Sequence, residues 1–479
     1  MNYRMIGYLL GVILAIEAAL LLFPLLVALI YGESMAPYLL TILILAVASV
    51  LLMLLKPKNT RIYAKEGFVC VAAAWILLSA FGALPFVFDG AITNYVDAFF
   101  ETASGFTTTG ATVLSAVEHL HKGILFWRSF THWVGGMGVL VFMLAIVPAD
   151  GRAIHLMRAE VPGPTKGKLV PRMRQTALIL YGIYVLLTVA ETVALCIAGM
   201  PFYDALVNSF ATAGTGGFAL KNTSIAAYAN PAAEWIIAIF MFLCGVNFNL
   251  YFFLLIRRFR DVWRSEELRA YILLCGTSTL LIAANVFHVY KNVGDTLRIA
   301  FFQVTSIMST TGFSTVDFNL WPEFSKTILV ILIMLGACAG STAGGLKISR
   351  ALLLCKNVWR ELKHILHPRS VMVTRLDGEP ISDETCRTAA NYFSLYLGLI
   401  AICTLILSLD GYDLTTNLTA TLTCINNVGP GLGLVGPLGN FGIYSDLSTL
   451  MLSFLMLLGR LEIIPLFILF SPSTWKKRG

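Results

Sequence analysis

Four short stretches carry the residue types most able to do chemistry. They are DAFFETASGFTTTGATV (97–113), DALVNSFATAGTGGFAL (204–220), IAFFQVTSIMSTTGFST (299–315) and TNLTATLTCINNVGPGL (416–432), and they align without a gap. In that register Gly110, Gly217, Gly312 and Gly429 coincide, Ala98 matches Ala205 and Ala300, and Phe99-Phe100 matches Phe301-Phe302. Asp97 also matches Asp204, so the agreement is good for three copies, while the fourth rests on Gly429 and its spacing. Each stretch reads as a half-membrane helix followed by an extended Thr/Gly segment, and such backbone survives at membrane depth only where it lines water. Carbonyls of Thr108-Thr109-Gly110, Thr215-Gly216-Gly217, Thr310-Thr311-Gly312 and Asn427-Val428-Gly429, aimed at one axis, could replace the hydration shell of a monovalent cation. Glycine at the last position lets φ go positive, so those carbonyls can turn inward. The negative C-terminal ends of the short helices would favour cations at the same place. The competing interpretation is surface turns joining the helices of an unrelated transporter, though four turns in one register are hard to obtain.

The elements around these stretches are apolar. Of 479 residues 57% are hydrophobic and 13% charged, about half the ~25% charge of soluble domains. The net charge of +7 is scattered among apolar runs and forms no basic face. A soluble enzyme, a disordered chain and a nucleic-acid binder are thereby excluded. The runs lie near 5–30, 37–55, 68–88, 125–147, 176–199, 234–256, 270–290, 326–350, 389–409 and 448–470, which makes ten candidate spans. The nine cysteines show no zinc spacing and read as small buried hydrophobes.

Basic residues cluster in alternate loops: Lys56 to Lys65, Arg152 to Arg174, Arg257 to Arg269, Lys347 to Arg387 and the tail Lys476, Lys477 and Arg478. Those sides are predicted to face the cytoplasm, both termini included. Opposite loops hold acids such as Glu33, Asp89, Glu118, Asp295 and Asp413. With the glycines 107, 95 and 117 residues apart, the chain divides into an N-terminal two-helix unit (1–60) and four repeats, 61–150, 151–260, 261–360 and 361–479. The predicted architecture is an all-α membrane protein: four span, pore helix, span units around a pseudo-fourfold axis, plus two N-terminal helices.

These four segments, their glycine register and the ten-span layout resemble the Trk/Ktr/HKT superfamily of cation uptake proteins, and within it the TrkH type, over nearly the whole chain. The two extra N-terminal helices favour that type over the shorter KtrB type. The resemblance implies potassium uptake, with K+ the transported ion at the twelve filter residues above. In plant relatives a serine at the first filter position goes with sodium, and Gly110 stands there in this chain. It further implies a homodimer in the bacterial inner membrane, surrounded by lipid, and a cytoplasmic nucleotide-binding regulator of the TrkA type. That regulator would meet the basic loops 148–174 and 347–388.

The segment LGACAGSTAGGLKISR (335–350) interrupts an apolar run with four glycines and three alanines, and helix propensity collapses there. Gly336, Gly340, Ser341, Thr342, Gly344 and Gly345 are similar to the family's intramembrane gating loop. Small-residue packing against a neighbouring helix is the alternative, and Lys347 would then be an end charge. Arg460, in FLMLLGRLEIIPLF, sits where a charge costs about 3 kcal/mol. In the family a matching arginine lies beside the gating loop and opposes cation passage. Pairing with Glu462 or with helix carbonyls is the alternative.

His132, His288 and Glu191 are weaker candidates, and no histidine pair has haem-ligand spacing. GLGLVG (431–436) lacks the strand and helix of a dinucleotide site, and GSTAGGLK (340–347) lacks the Gly-Lys-Ser/Thr of a phosphate loop. The chain therefore carries no cofactor or nucleotide site of its own, and no nucleophile and base converge as an enzyme requires. A coupled K+/H+ or K+/Na+ symporter, with Glu191 and His132 as coupling groups, is the second functional class; the absence of an inverted repeat argues against it.

Overall fold

The apolar runs become long helices because lipid offers backbone groups no other partner. The computed structural model describes residues 1–55, 63–138, 173–370 and 372–461. Among them six helices or continuous helical pairs are long and apolar enough to cross a membrane: Tyr3–Tyr31, Ala36–Met53, Glu66–Asp89, Ala177–Ile197, Glu266–Tyr290 and Asp383–Asp410. Pro231–Cys244 and Phe248–Leu255 make a seventh if their 91° bend is counted within one span. Leucine and isoleucine project outward from them, with Leu43 61% and Leu405 71% exposed, faces that suit lipid and not water. This is a multi-pass membrane protein, mostly helical; among the described residues strand is limited to the pairing of Arg375–Leu376 with Glu379–Pro380.

Four of the ten candidate runs are not described as one continuous straight helix. The 326–350 run is helical only over Glu323–Leu335 and resumes at Ile348–Leu366, broken where the glycines cluster. The 125–147 and 448–470 runs begin as Lys122–Gly136 and Asp446–Leu461, and the ends of both lie outside the described residues, as do Glu462, the basic tail and most of the 148–174 loop. The 234–256 run bends at Asn247, whose side chain accepts the Asn249 N–H and starts the second helix.

Four short helices precede the Thr/Gly segments: Tyr95–Phe106, Phe202–Ala213, Val293–Met308 and Leu414–Asn426. Asn94, Asn292 and Asp413 cap three of them through their side chains, each satisfying an orphan N–H. The Thr416 hydroxyl and N–H on Asp413 hold its carboxyl below the usual range. Asp97, Asp204 and Asp295 complement the positive helix starts.

Packing among these elements closes on itself. Tyr95–Phe106 packs on Lys122–Gly136, which packs on Phe202–Ala213, then Pro231–Cys244, Val293–Met308, Glu323–Leu335, Leu414–Asn426 and Asp446–Leu461, and the last returns to Tyr95–Phe106. The Tyr3–Leu20 helix lies outside this circuit against Ala36–Met53 and Ala64–Gly82. Glycines permit the closest approaches: a Cβ on Gly135 would run into the Phe106 carbonyl. Gly135→Ala is therefore expected to destabilise the fold by about 1–3 kcal/mol, read as a lower unfolding midpoint in detergent; an unchanged midpoint would contradict this packing.

Candidate functional site

Each short helix ends the same way. Thr109 donates its N–H to the Ser104 carbonyl at 2.8 Å, Gly216 to Ala211 at 2.8 Å, Thr311 to Ser306 at 2.9 Å and Val428 to Thr423 at 3.0 Å. The residue before each is left-handed, with φ +57° at Thr108, +56° at Thr215, +59° at Thr310 and +55° at Asn427. This six-to-one bond behind a left-handed residue is the Schellman way to stop a helix, a place normally given to glycine. Three β-branched threonines hold it here, a conformation that costs free energy and persists only when its surroundings impose it. Nothing in the local sequence announces it, and the sequence expectation had assigned positive φ to the last glycines alone.

Those glycines do have positive φ: +79° at Gly110, +75° at Gly217, +85° at Gly312 and +97° at Gly429. Each also abuts the next segment. A Cβ on Gly110 would strike the Gly216 carbonyl, one on Gly217 the Thr311 carbonyl, one on Gly312 the Val428 carbonyl, and one on Gly429 the Thr109 carbonyl at 2.8 Å. The four segments thus meet in chain order and close, the fourth on the first. Thr108, Thr109, Thr215, Thr310, Thr311, Asn427 and Val428 are fully buried. The Asn427 amide donates to Thr109 Oγ1 at 2.9 Å and to the Met456 carbonyl at 3.0 Å. A cavity of about 130 Å³ opens on the far side from the helices, bordered by all four glycines.

The 336–346 segment lies against the helix side of this ring. Gly344 donates its N–H to Thr310 Oγ1 at 2.8 Å, and a Cβ there would strike the Asn426 carbonyl. Gly336, Gly340 and Gly345 are left-handed at +67°, +72° and +82°. The segment is tied to the bent pair: Cys338 N–H meets the Gly245 carbonyl at 3.1 Å, Phe248 N–H the Gly340 carbonyl at 2.9 Å, and Thr342 Oγ1 the Cys244 carbonyl at 3.3 Å. Ser341 Oγ donates to the Cys338 carbonyl at 2.6 Å. Lys347, considered as an end charge, is instead buried, its ammonium on the Ala343 carbonyl.

Arg460 joins ring and loop. Its guanidinium donates to the Thr342 carbonyl at 2.7 Å, to the Gly135 and Gly136 carbonyls at 2.6 Å each, and reaches Thr108 Oγ1 at 3.4 Å. Helix carbonyls are part of its solvation, as one alternative held, and the loop is the other part. The weaker candidates separate: His288 is exposed, Glu191 is buried on Met173–Ile197, and His132 lies behind the first two segments.

Sequence reasoning missed Glu267. It is buried, and its Oε1 accepts the N–H of Ala339 at 2.6 Å and of Ser349 at 3.0 Å, clamping both ends of the loop.

A family model for TrkH, a cation transport protein, matches residues 34–477. The chain belongs to the TrkH family. It is 38% identical over 485 residues to the Trk system potassium uptake protein TrkH of Salmonella typhimurium, covering all of both chains. To the Trk system potassium uptake protein TrkG of Escherichia coli it is 32% identical, over 99% of each chain. The crystal structure of the potassium transporter TrkH from Vibrio parahaemolyticus superimposes with a TM-score of 0.89 at 34% identity, covering 99% of this chain and 100% of that one. These TrkH-family relatives are named as transport proteins, not enzymes.

Charge-assisted bonds such as those to Glu267 contribute about 1.5–3 kcal/mol. Glu267→Gln is accordingly expected to speed amide hydrogen exchange in the 336–346 peptide by at least about tenfold. Wild-type exchange in that variant would show that the carboxylate does not hold the loop.

Proposed function

We propose that this chain is the membrane subunit of a potassium uptake system, passing K+ through one pore made by four span, pore helix, span units. The observation that carries the reading is the closed circuit of glycine contacts, because only segments surrounding a common axis can each abut the next. Within each triplet the first and third residues have positive φ and the middle one does not. A backbone alternating in this way turns successive peptide units to one side, where a strand would turn them to opposite sides. Twelve residues from Thr108 to Gly429 then offer carbonyls to a dehydrated K+, and the ends of four short helices add negative potential from below.

The 336–346 loop is the gate in this reading. It lies across the cytoplasmic side of the ring, and Arg460 adds a positive charge beside it. Opening requires the loop to leave Thr310 and Arg460. The N-terminal unit and the four repeats at the boundaries given above, ten spans in all, cytoplasmic termini, the bacterial inner membrane, a homodimer and a TrkA-type nucleotide-binding regulator belong to the same proposal. The family and the names of the relatives, which refer to a Trk system, support it. Proton or sodium coupling through His132 has less support, since both ring nitrogens are engaged with backbone groups.

Gly312→Ser and Gly110→Ser each force a side chain into a neighbouring carbonyl and are expected to lower the K+ over Na+ flux ratio in proteoliposomes by about tenfold or more. Wild-type ratios in both would remove the filter assignment. Arg460→Ala, or deletion of 338–345, is expected to raise basal K+ flux several-fold. A folded Arg460→Ala protein with unaltered flux would return Arg460 to a purely structural role.

A further inference from the structure

Behind the joint of the first two segments lies a buried charged cluster that the filter and gate do not use. Glu101, on Tyr95–Phe106, is fully buried, and Arg128, on Lys122–Gly136, is 3% exposed. Arg128 Nε donates to Glu101 Oε1 at 2.6 Å, and the same oxygen accepts the Thr112 hydroxyl at 3.0 Å, while Oε2 accepts the Val113 N–H at 3.0 Å. Arg128 then crosses to the second segment. It donates to the Ala219 carbonyl at 3.1 Å and lies 3.6 Å over the Phe218 ring.

One turn along the same helix, His132 makes a second crossing. Its Nδ1 meets the Gly105 carbonyl at 2.7 Å, and its Nε2 accepts the Phe218 N–H at 3.3 Å. That acceptor role leaves the ring neutral with its proton on Nδ1. The ring also fills the space behind Gly216, where a Cβ would strike it. Residues on both sides of Gly110 and directly after Gly217 are therefore fixed to one face of one helix.

The segments' own bonds across the other joints are neutral, while charge reaches two of those joints from the flanking helices, through Arg460 on Thr108 Oγ1 and through the Arg298–Glu234 pair at 2.8 Å. Asn427 meets Thr109, Ser314 N–H meets Ser224 Oγ at 3.2 Å, and Asn319 exchanges two bonds with Gly433. A buried ion pair is dear in desolvation and brings little net stability, so a pair buried to 3% and 0% exposure and bonded directly to the segments of the first joint points to geometry, not to strength.

We propose that Glu101, Arg128 and His132 are positioning residues that set the spacing between the first and second filter segments, and through it the discrimination between K+ and smaller cations. This deepens the filter reading and rests on it. The pair acts through the Thr112 hydroxyl, the Val113 N–H, the Phe218 ring and the Ala219 carbonyl, and touches no ion.

The test is the K+ over Na+ flux ratio of full-length protein in proteoliposomes, at matched amounts of folded protein, with Gly312→Ser as the filter control. Glu101→Gln, His132→Phe and Thr112→Val are each expected to lower the ratio, by about tenfold for the first, which loses a charge-assisted bond, and less for Thr112→Val. Thr112→Val removes one hydroxyl at constant shape, so it carries the test if Glu101→Gln fails to fold. A merely structural role would lower unfolding midpoints and yield while leaving the ratio at its wild-type value. If the control shifts the ratio and these variants do not, the positioning role is overturned and the filter stands. If the control does not shift it either, the filter reading falls, and the proposal with it.

Discussion

Each Thr/Gly segment touches the next through a glycine that has no room for a side chain, and the series closes from Gly429 back to Gly110. Backbone-on-backbone contact of this kind fixes distances more tightly than side-chain packing, because no rotamer can absorb an error. Much of the surrounding architecture supports it. Short helices bring four chain segments together, three left-handed threonines and Asn427 stop those helices at the same point, and glycines such as Gly135 let the following helices press against the helix ends. The strain at Thr108, Thr215 and Thr310 is held in place by complete burial.

The ring is not symmetric in its supports. A buried ion pair braces the first joint, an asparagine amide the one between the fourth and first segments, and serine groups the one between the second and third. The helix side of the ring is asymmetric as well, since one inner helix of the circuit gives way to the 336–346 loop. Arg460 draws these together, bonding at once to that loop and to the end of Lys122–Gly136. A small shift of the guanidinium would therefore be felt by both the loop and the backbone beneath the first segment.

Much of this was legible in the residues. The gap-free register of the four glycines, the apolar runs and the collapse of helix propensity across 335–350 are local signals, and the structure has the corresponding features. What escaped the sequence was tertiary in origin. Threonine disfavours the left-handed conformation, so Thr108, Thr215 and Thr310 gave no hint of it. The 91° bend at Asn247 falls in a run whose hydropathy is continuous. Glu101, Arg128 and Glu267 look like ordinary polar residues of their helices until the fold brings their partners, many of them backbone groups far along the chain, within bonding distance.

The central claim is that four segments form one cation-selective path through a single chain. Its most direct test is tracer flux of K+ and Na+ in proteoliposomes holding this chain with Arg460→Ala, under an imposed K+ gradient and then a reversed one. Rapid K+-selective flux in both directions, independent of proton and sodium gradients, is the expected result. Slow flux that follows a proton or sodium gradient, or equal passage of K+ and Na+, would contradict the account.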